Sequence, residues 1–294
     1  MMRARLKKVL IAAATTVTVA ASLVVGGAGT SSAQPAKLPT FAISTDGKLM
    51  ASFYANQPQV LNWVRLVKGL VCGETYLIGI DFRVQDGLLY GVGNKGCIYT
   101  ISTPPATPKS KADDVTVTKV SQLTIALDGA NFGVDFNPAA DRLRVISDTG
   151  QNLRHNLRDV TIADSALTTP PTPGPTTGVT AAAYTNNDLN PDTATTLFDI
   201  GTATDQVLIQ SPANAGLLVP TGALGVDTGP IAGFDIFSDL TYGKTTSVTA
   251  FAVLNPPSGS PSTFYTVNLL TGAASKVGDF PLPIGDIAVA LDKN

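Results

Sequence analysis

A four-residue phrase that returns about every fifty residues constrains this chain more than any other feature. Gly79-Ile80-Asp81-Phe82 comes back as Gly133-Val134-Asp135-Phe136, and again as Gly233-Phe234-Asp235-Ile236. Each copy is followed by short runs of β-branched and aromatic residues, bounded by Gly, Pro, Asn and Asp, which read as strands and turns. No stretch beyond the N-terminal segment sustains a helical period with caps. A period of this size with several strands per copy predicts an all-β chain folded as a β-propeller.

The second module is the clearest. Strands are expected over 76–82, 88–92, 97–101 and 115–123, with Val84-Gln85-Asp86-Gly87 and Gly93-Asn94-Lys95-Gly96 as hairpin connections. The third module starts at Asn131 and continues over 142–146 and 152–157. A fourth starts near Val179 and continues over 195–200, 206–210 and 216–224. A fifth starts near Ile231 and continues over 248–254, 263–269 and 273–280. Residues 41–70 match the second, third and fourth strands of a module and lack the first. Residues 285–291 resemble a first strand with nothing after them to pair with. The expectation is five four-stranded blades, the first completed by the C-terminal strand, which removes open sheet edges. Six blades is the alternative, if a Pro-rich insert hides a weak one. Residues 104–114, 168–177 and 255–262 read as exposed inserts, and because the repeat runs across them a single domain is expected over 41–294.

The start of the chain is read separately. Arg3, Arg5, Lys7 and Lys8 precede an apolar stretch from Val9 to Val25, and Ser31-Ser32-Ala33 offers small residues for cleavage. Residues 1–33 are therefore expected to be a signal peptide, with 34–40 a short linker. An uncleaved anchor is the competing reading, weakened by Thr15, Thr16, Thr18 and Ser22 within the apolar run. Cleavage leaves 16 basic against 22 acidic residues. That acidic excess argues against nucleic acid or an anionic membrane as partner and suits a secreted, monomeric protein. In an exported chain the two cysteines, Cys72 and Cys97, are expected to be bridged. One would lie in a fourth-to-first and the other in a second-to-third strand connection, on the same face of a propeller.

The runs Leu77-Ile-Gly-Ile-Asp-Phe-Arg, Leu89-Tyr-Gly-Val-Gly, Phe132-Gly-Val-Asp-Phe-Asn-Pro-Ala-Ala-Asp-Arg-Leu-Arg-Val and Ala183-Tyr-Thr-Asn-Asn resemble a bacterial exported family described as a domain of unknown function, number 4394. The resemblance covers roughly residues 40–291. It implies a secreted propeller-like domain and carries over no activity and no catalytic residue.

The side-chain inventory excludes several chemistries. A single histidine, His155, cannot build a multi-histidine metal site, and two cysteines cannot replace the missing ligands. His155 would serve at most as a general base; a solvent-facing strand residue is the plainer expectation. Neither a Gly-x-Ser-x-Gly elbow nor a glycine-rich phosphate loop is present outside the leader. Glu74 is the only glutamate among 22 acids, and so many aspartates suit turn chemistry.

Three constellations remain. Asp81, Asp135 and Asp235, with Tyr184 at the matching place in the fourth module, would surround the channel and could bind a cation or polarise a water. Alternatively each carboxylate accepts hydrogen bonds from a neighbouring blade. Asp188-Leu189-Asn190-Pro191-Asp192 with Asp199 echoes a calcium loop, but Thr193 stands where glycine is needed and strands flank it, so a plain polar hairpin is the preferred reading. Arg142 and Arg144 share a strand face and could grip a carboxylate or phosphate, or pair with inter-blade aspartates.

Two functions follow as expectations. The first is a non-catalytic binding or interaction module for an extracellular ligand or protein, with no cofactor unless calcium. The second is a metal-dependent hydrolase or lactonase-like enzyme using channel carboxylates, which rests on fold analogy alone.

Overall fold

The computed structural model describes residues 37–105, 114–259 and 261–293. The expected signal peptide and most of the 104–114 insert lie outside the described residues. Everything described is strand, turn or irregular backbone except one 3-10 turn at Ala213–Ala215.

The chain forms four-stranded antiparallel sheets in a propeller-like arrangement. One contains β4 (Leu77–Arg83), β5 (Leu88–Gly93), β6 (Cys97–Ser102) and β7 (Val115–Gln122) in sequential order. The next contains β8 (Phe132–Asn137), β9 (Arg142–Ser147), β10 (Asn152–Asn156) and β11 (Val160–Ala163). Then come β12 (Val179–Tyr184), β13 (Leu197–Gly201), β14 (Gln206–Gln210) and β15 (Leu218–Ala223). Another holds β16 (Ala232–Thr241), β17 (Lys244–Leu254), β18 (Thr263–Val267) and β19 (Ala274–Asp279).

The remaining strands join the two ends of the chain. β1 (Pro39–Ser44), β2 (Leu49–Tyr54) and β3 (Gln57–Lys68) form an antiparallel set, and β20 (Ile284–Val289) pairs antiparallel with β1 on its free side. Phe41 stands opposite Ala288, and a bulge at Gly285 shifts the register between Ile43 and Ser44. A short parallel contact of Val67–Lys68 with Val115–Thr116 joins the outer edges of this sheet and its neighbour. The first strands β20, β4, β8, β12 and β16 touch one another in that cyclic order.

Each sheet is packed on both faces, which explains why the inner strands are buried nearly throughout instead of alternating. In β13, Leu197 joins the apolar cluster shared with β8–β11, whereas Phe198 and Ile200 face β16–β19. Similar clusters fill the other sheet contacts. Phe41, Met50 and Trp63 meet Leu77, Leu89 and Tyr99, and Phe53 packs edge-on to Phe264 and Phe280.

The glycine that precedes each repeated aspartate by two residues has a packing reason. A Cβ on Gly133 would meet the Ala182 amide nitrogen at 2.6 Å, and one on Gly233 would meet the Asp286 Cα at 2.6 Å. Inner strands approach this closely only where no side chain intervenes.

Candidate functional site

Asp81, Asp135 and Asp235 are buried, and one carboxylate oxygen of each lies within 4.8 Å of the others. They come together because β4, β8 and β16 present the same register position toward the axis. Their hydrogen bonds run from sheet to sheet. Asp81 accepts the amide of its neighbour Phe82 at 2.6 Å and that of Phe136, in the next sheet, at 2.7 Å. Asp135 accepts the Tyr184 amide at 3.1 Å. Asp235 accepts the amides of Ile236 and of Val289, again one local and one across a sheet boundary.

A fourth carboxylate belongs to the same region. Asp286 on β20 is buried and accepts the Ile80 amide at 2.9 Å. Burial raises the Asp81 and Asp135 carboxyls well above the usual carboxylate range, and mutual repulsion among the four acids adds to it. Burial pushes Asp235 up to about 7 and also raises Asp286 well above its ordinary value, against the backbone amides that favour the ionised form.

Tyr184 does not occupy the expected place. Its amide donates to Asp135 just as the Phe136 amide donates to Asp81, so Ala183 is the register equivalent of the repeated aspartate. The Tyr184 side chain belongs instead to the contact between β8–β11 and β12–β15, where its hydroxyl accepts from Arg144 Nε at 3.2 Å.

The two arginines also separate. Arg144 is buried, and its Nη1 donates to Asn152 Oδ1 at 2.7 Å and Asp164 Oδ2 at 2.8 Å. Its Nη2 donates to Asn214 Oδ1 at 2.7 Å. Partners on every nitrogen make it a bracket between two sheets rather than a ligand clamp. Arg142 turns back on its own hairpin, donating to the carbonyls of Ala140 and Asp141. The bidentate grip expected of them is made by Arg83, whose Nε and Nη2 reach Asp141 Oδ1 and Oδ2, each at 2.7 Å.

Near Arg144 lies Asp199, the last residue of the segment that echoes a calcium loop but reads more simply as a polar hairpin. Asp199 is fully buried on β13, and among the described residues neither of its oxygens has a hydrogen-bond partner, nor does Gln210 Oε1. Burial raises the Asp199 carboxyl well above its ordinary range, opposed by the Arg144 charge. Asp188, the supposed first ligand, is satisfied elsewhere: it accepts the Thr245 amide at 2.8 Å, the Thr245 hydroxyl at 2.6 Å and the Asn190 amide at 2.9 Å. Among the described residues, the one group of acids close enough to share an ion is the axial trio.

His155 is buried rather than solvent-facing. Its Nε2 lies 2.8 Å from Ser121 Oγ and its Nδ1 lies 2.9 Å from Thr161 Oγ1. The single Ser121 hydroxyl proton goes to Asp159 Oδ1, so Nε2 carries the proton toward Ser121 and does not act as its base. Burial lowers the imidazole's proton affinity. Cys72 and Cys97 are joined in a disulfide, with Cα atoms 6.6 Å apart. Glu74 buries its carboxylate beside them and accepts the Cys97 amide at 2.8 Å and the Tyr99 hydroxyl at 2.6 Å.

A separate concavity of about 610 Å³ opens where first strands turn into second strands. Phe82, Leu88, Leu189, Leu240 and Leu291 line it. Leu189 and Leu88 are exposed, and Tyr242, at the tip of the β16–β17 hairpin, is 99% exposed. Nothing in the repeat pattern signalled this face, because its residues come from unlike connections.

A family model described as a domain of unknown function (DUF4394) matches residues 49–288. No curated protein matches the chain in sequence. In fold the chain is similar to one in a crystal structure of a nidogen/laminin complex, at 8% identity and TM-score 0.45, over 86% of this chain and 98% of that one. A structural-genomics protein of unknown function from Bacteroides thetaiotaomicron is similar at 11% identity and TM-score 0.45, over 87% and 67%. A protein from Lactobacillus plantarum is similar at 14% identity and TM-score 0.36, over 86% and 99%. Identities this low extend the likeness to general form alone. Among the described residues no helix is long and apolar enough to cross a membrane.

Proposed function

Starting from the chain's membership of the DUF4394 family of unknown function, we propose that it is a secreted, non-catalytic binding module. Its architecture on this reading is a five-bladed propeller sealed by β20. The cyclic contact of five first strands and the β1–β20 pairing support that count and closure. Secretion is supported by the Cys72–Cys97 disulfide and the expected leader.

The observation that carries the binding reading is the apolar concavity beside Tyr242. A large aromatic residue held fully in solvent at a hairpin tip whose Leu240 and Gly243 line a concavity with exposed Leu189 and Leu88 is what a recognition surface needs and a bare scaffold does not. Its occupant is an extracellular protein presenting an apolar segment, since the lining is aliphatic and aromatic with few charges. The hydrolase alternative has less support. The axial carboxylates are at most 8% exposed and most of their oxygens accept backbone amides, which favours a structural over a catalytic use.

A random-peptide phage library panned on the wild-type protein tests this reading, with the Leu189→Asp, Tyr242→Ala double variant for comparison. Enriched peptides should be rich in apolar residues and bind the variant at least about tenfold more weakly, a difference of about 1.4 kcal/mol. Peptides that bind both proteins equally would place recognition elsewhere.

A further inference from the structure

The axial carboxylates present a charge problem that the backbone alone does not resolve. Ionised together, three acids whose oxygens lie within 4.8 Å of one another would repel strongly away from water, and among the described residues no lysine or arginine partners Asp81, Asp135 or Asp235. Four oxygens, two on Asp81 and two on Asp235, are held by backbone amides. Asp135 differs: it is 3% exposed, one oxygen takes the Tyr184 amide, and the other has no hydrogen-bond partner among the described residues. That oxygen is not sealed in like those of Asp199, so it is open to the axis and, beside two other carboxylates, is free to take a ligand.

We propose that the axis of the ring binds one divalent cation of the calcium class through an oxygen each of Asp81, Asp135 and Asp235. The donor set is oxygen only, which selects a hard cation over zinc or copper. Oxygens that all lie within 4.8 Å of one another are close enough for one ion to touch an oxygen of each carboxylate. Three protein ligands leave further positions for water, and the amides on Asp81 and Asp235 orient those carboxylates without using all their lone pairs. The ion would tie β4, β8 and β16 at one point, so it deepens the architecture and is independent of what the outer face recognises.

The test compares the chelator-treated full chain with the same protein in millimolar calcium. Metal analysis after dialysis should find one calcium per chain. The Tm should rise by about 5–10 °C at a hundredfold excess over the dissociation constant. Asp135→Asn should abolish the uptake and the rise, while its chelated form melts no lower than chelated wild type, because a buried acid that resists ionisation is replaced by a neutral group of the same shape. No uptake by the wild type overturns the proposal, and so does undiminished uptake by the variant. Should Asp135→Asn not fold, a wild-type crystal grown in calcium decides the matter: density for an ion among the three carboxylates supports it, and its absence refutes it.

Discussion

Asp199 illustrates how one side chain gives this fold a dependence on pH. Its carboxyl is raised in the folded state by burial, with Arg144 opposing, so its sign is that of a group that prefers to stay protonated. Stability from such a group is fully present below the unfolded value near 4 and is lost as pH rises through the folded value. Each such carboxyl contributes up to about 1.4 kcal/mol per pH unit within that window. Asp199→Asn cannot titrate, and it should therefore lose less stability than the wild type between pH 5 and pH 8, read as the change in urea midpoint. Equal losses in the two proteins would show that Asp199 is ionised and solvated. Residues of this kind are hard to find in a sequence. Asp81, Asp135 and Asp235 were legible because they recur with the same neighbours. Asp199 occurs once, and Asp286 is displaced from the repeat by the bulge at Gly285.

Among the elements, the segment joining β3 to β4 is held by two independent devices. The disulfide ties Cys72 to Cys97 across a sequence separation of 25, and Glu74 buries its carboxylate against the start of β6. A loop of that length is worth about 3 kcal/mol through the unfolded chain. Cys72→Ser with Cys97→Ser should lower unfolding stability by roughly that amount, measured by denaturant titration, and leave the sheet content by circular dichroism unchanged. A loss below about 1 kcal/mol would mean that Glu74 and its hydrogen bonds carry the segment. Strands themselves were largely legible, because runs such as 206–210 are apolar, β-branched and bounded by turn residues. β11 was not, since its four residues are mostly exposed and form no distinct apolar run. The extended β16–β17 hairpin was also unforeseen: residues 238–247 are mostly polar, and only the Tyr242-Gly243 turn, with φ of 53° and 72°, lets the strands reverse there.

For the whole molecule, the first and last segments share one sheet, as the proposed ring requires. Phe41 opposite Ala288 and the Val289 amide on Asp235 place the C-terminal strand between β1 and β16, where it contributes to two apolar contacts at once. That arrangement was readable from a module lacking its first strand and a first strand lacking its module. The concavity was not, because it is assembled from connections of three different sheets and the end of the chain. Thermal unfolding of the chain cut after Pro283 is the most direct measurement of closure. Removing β20 exposes the β1 edge and the faces of both neighbouring sheets, so the cut chain should lose its cooperative transition, and adding a peptide of residues 284–294 should restore it at least in part. A cut chain that melts cooperatively at the wild-type temperature would contradict the ring.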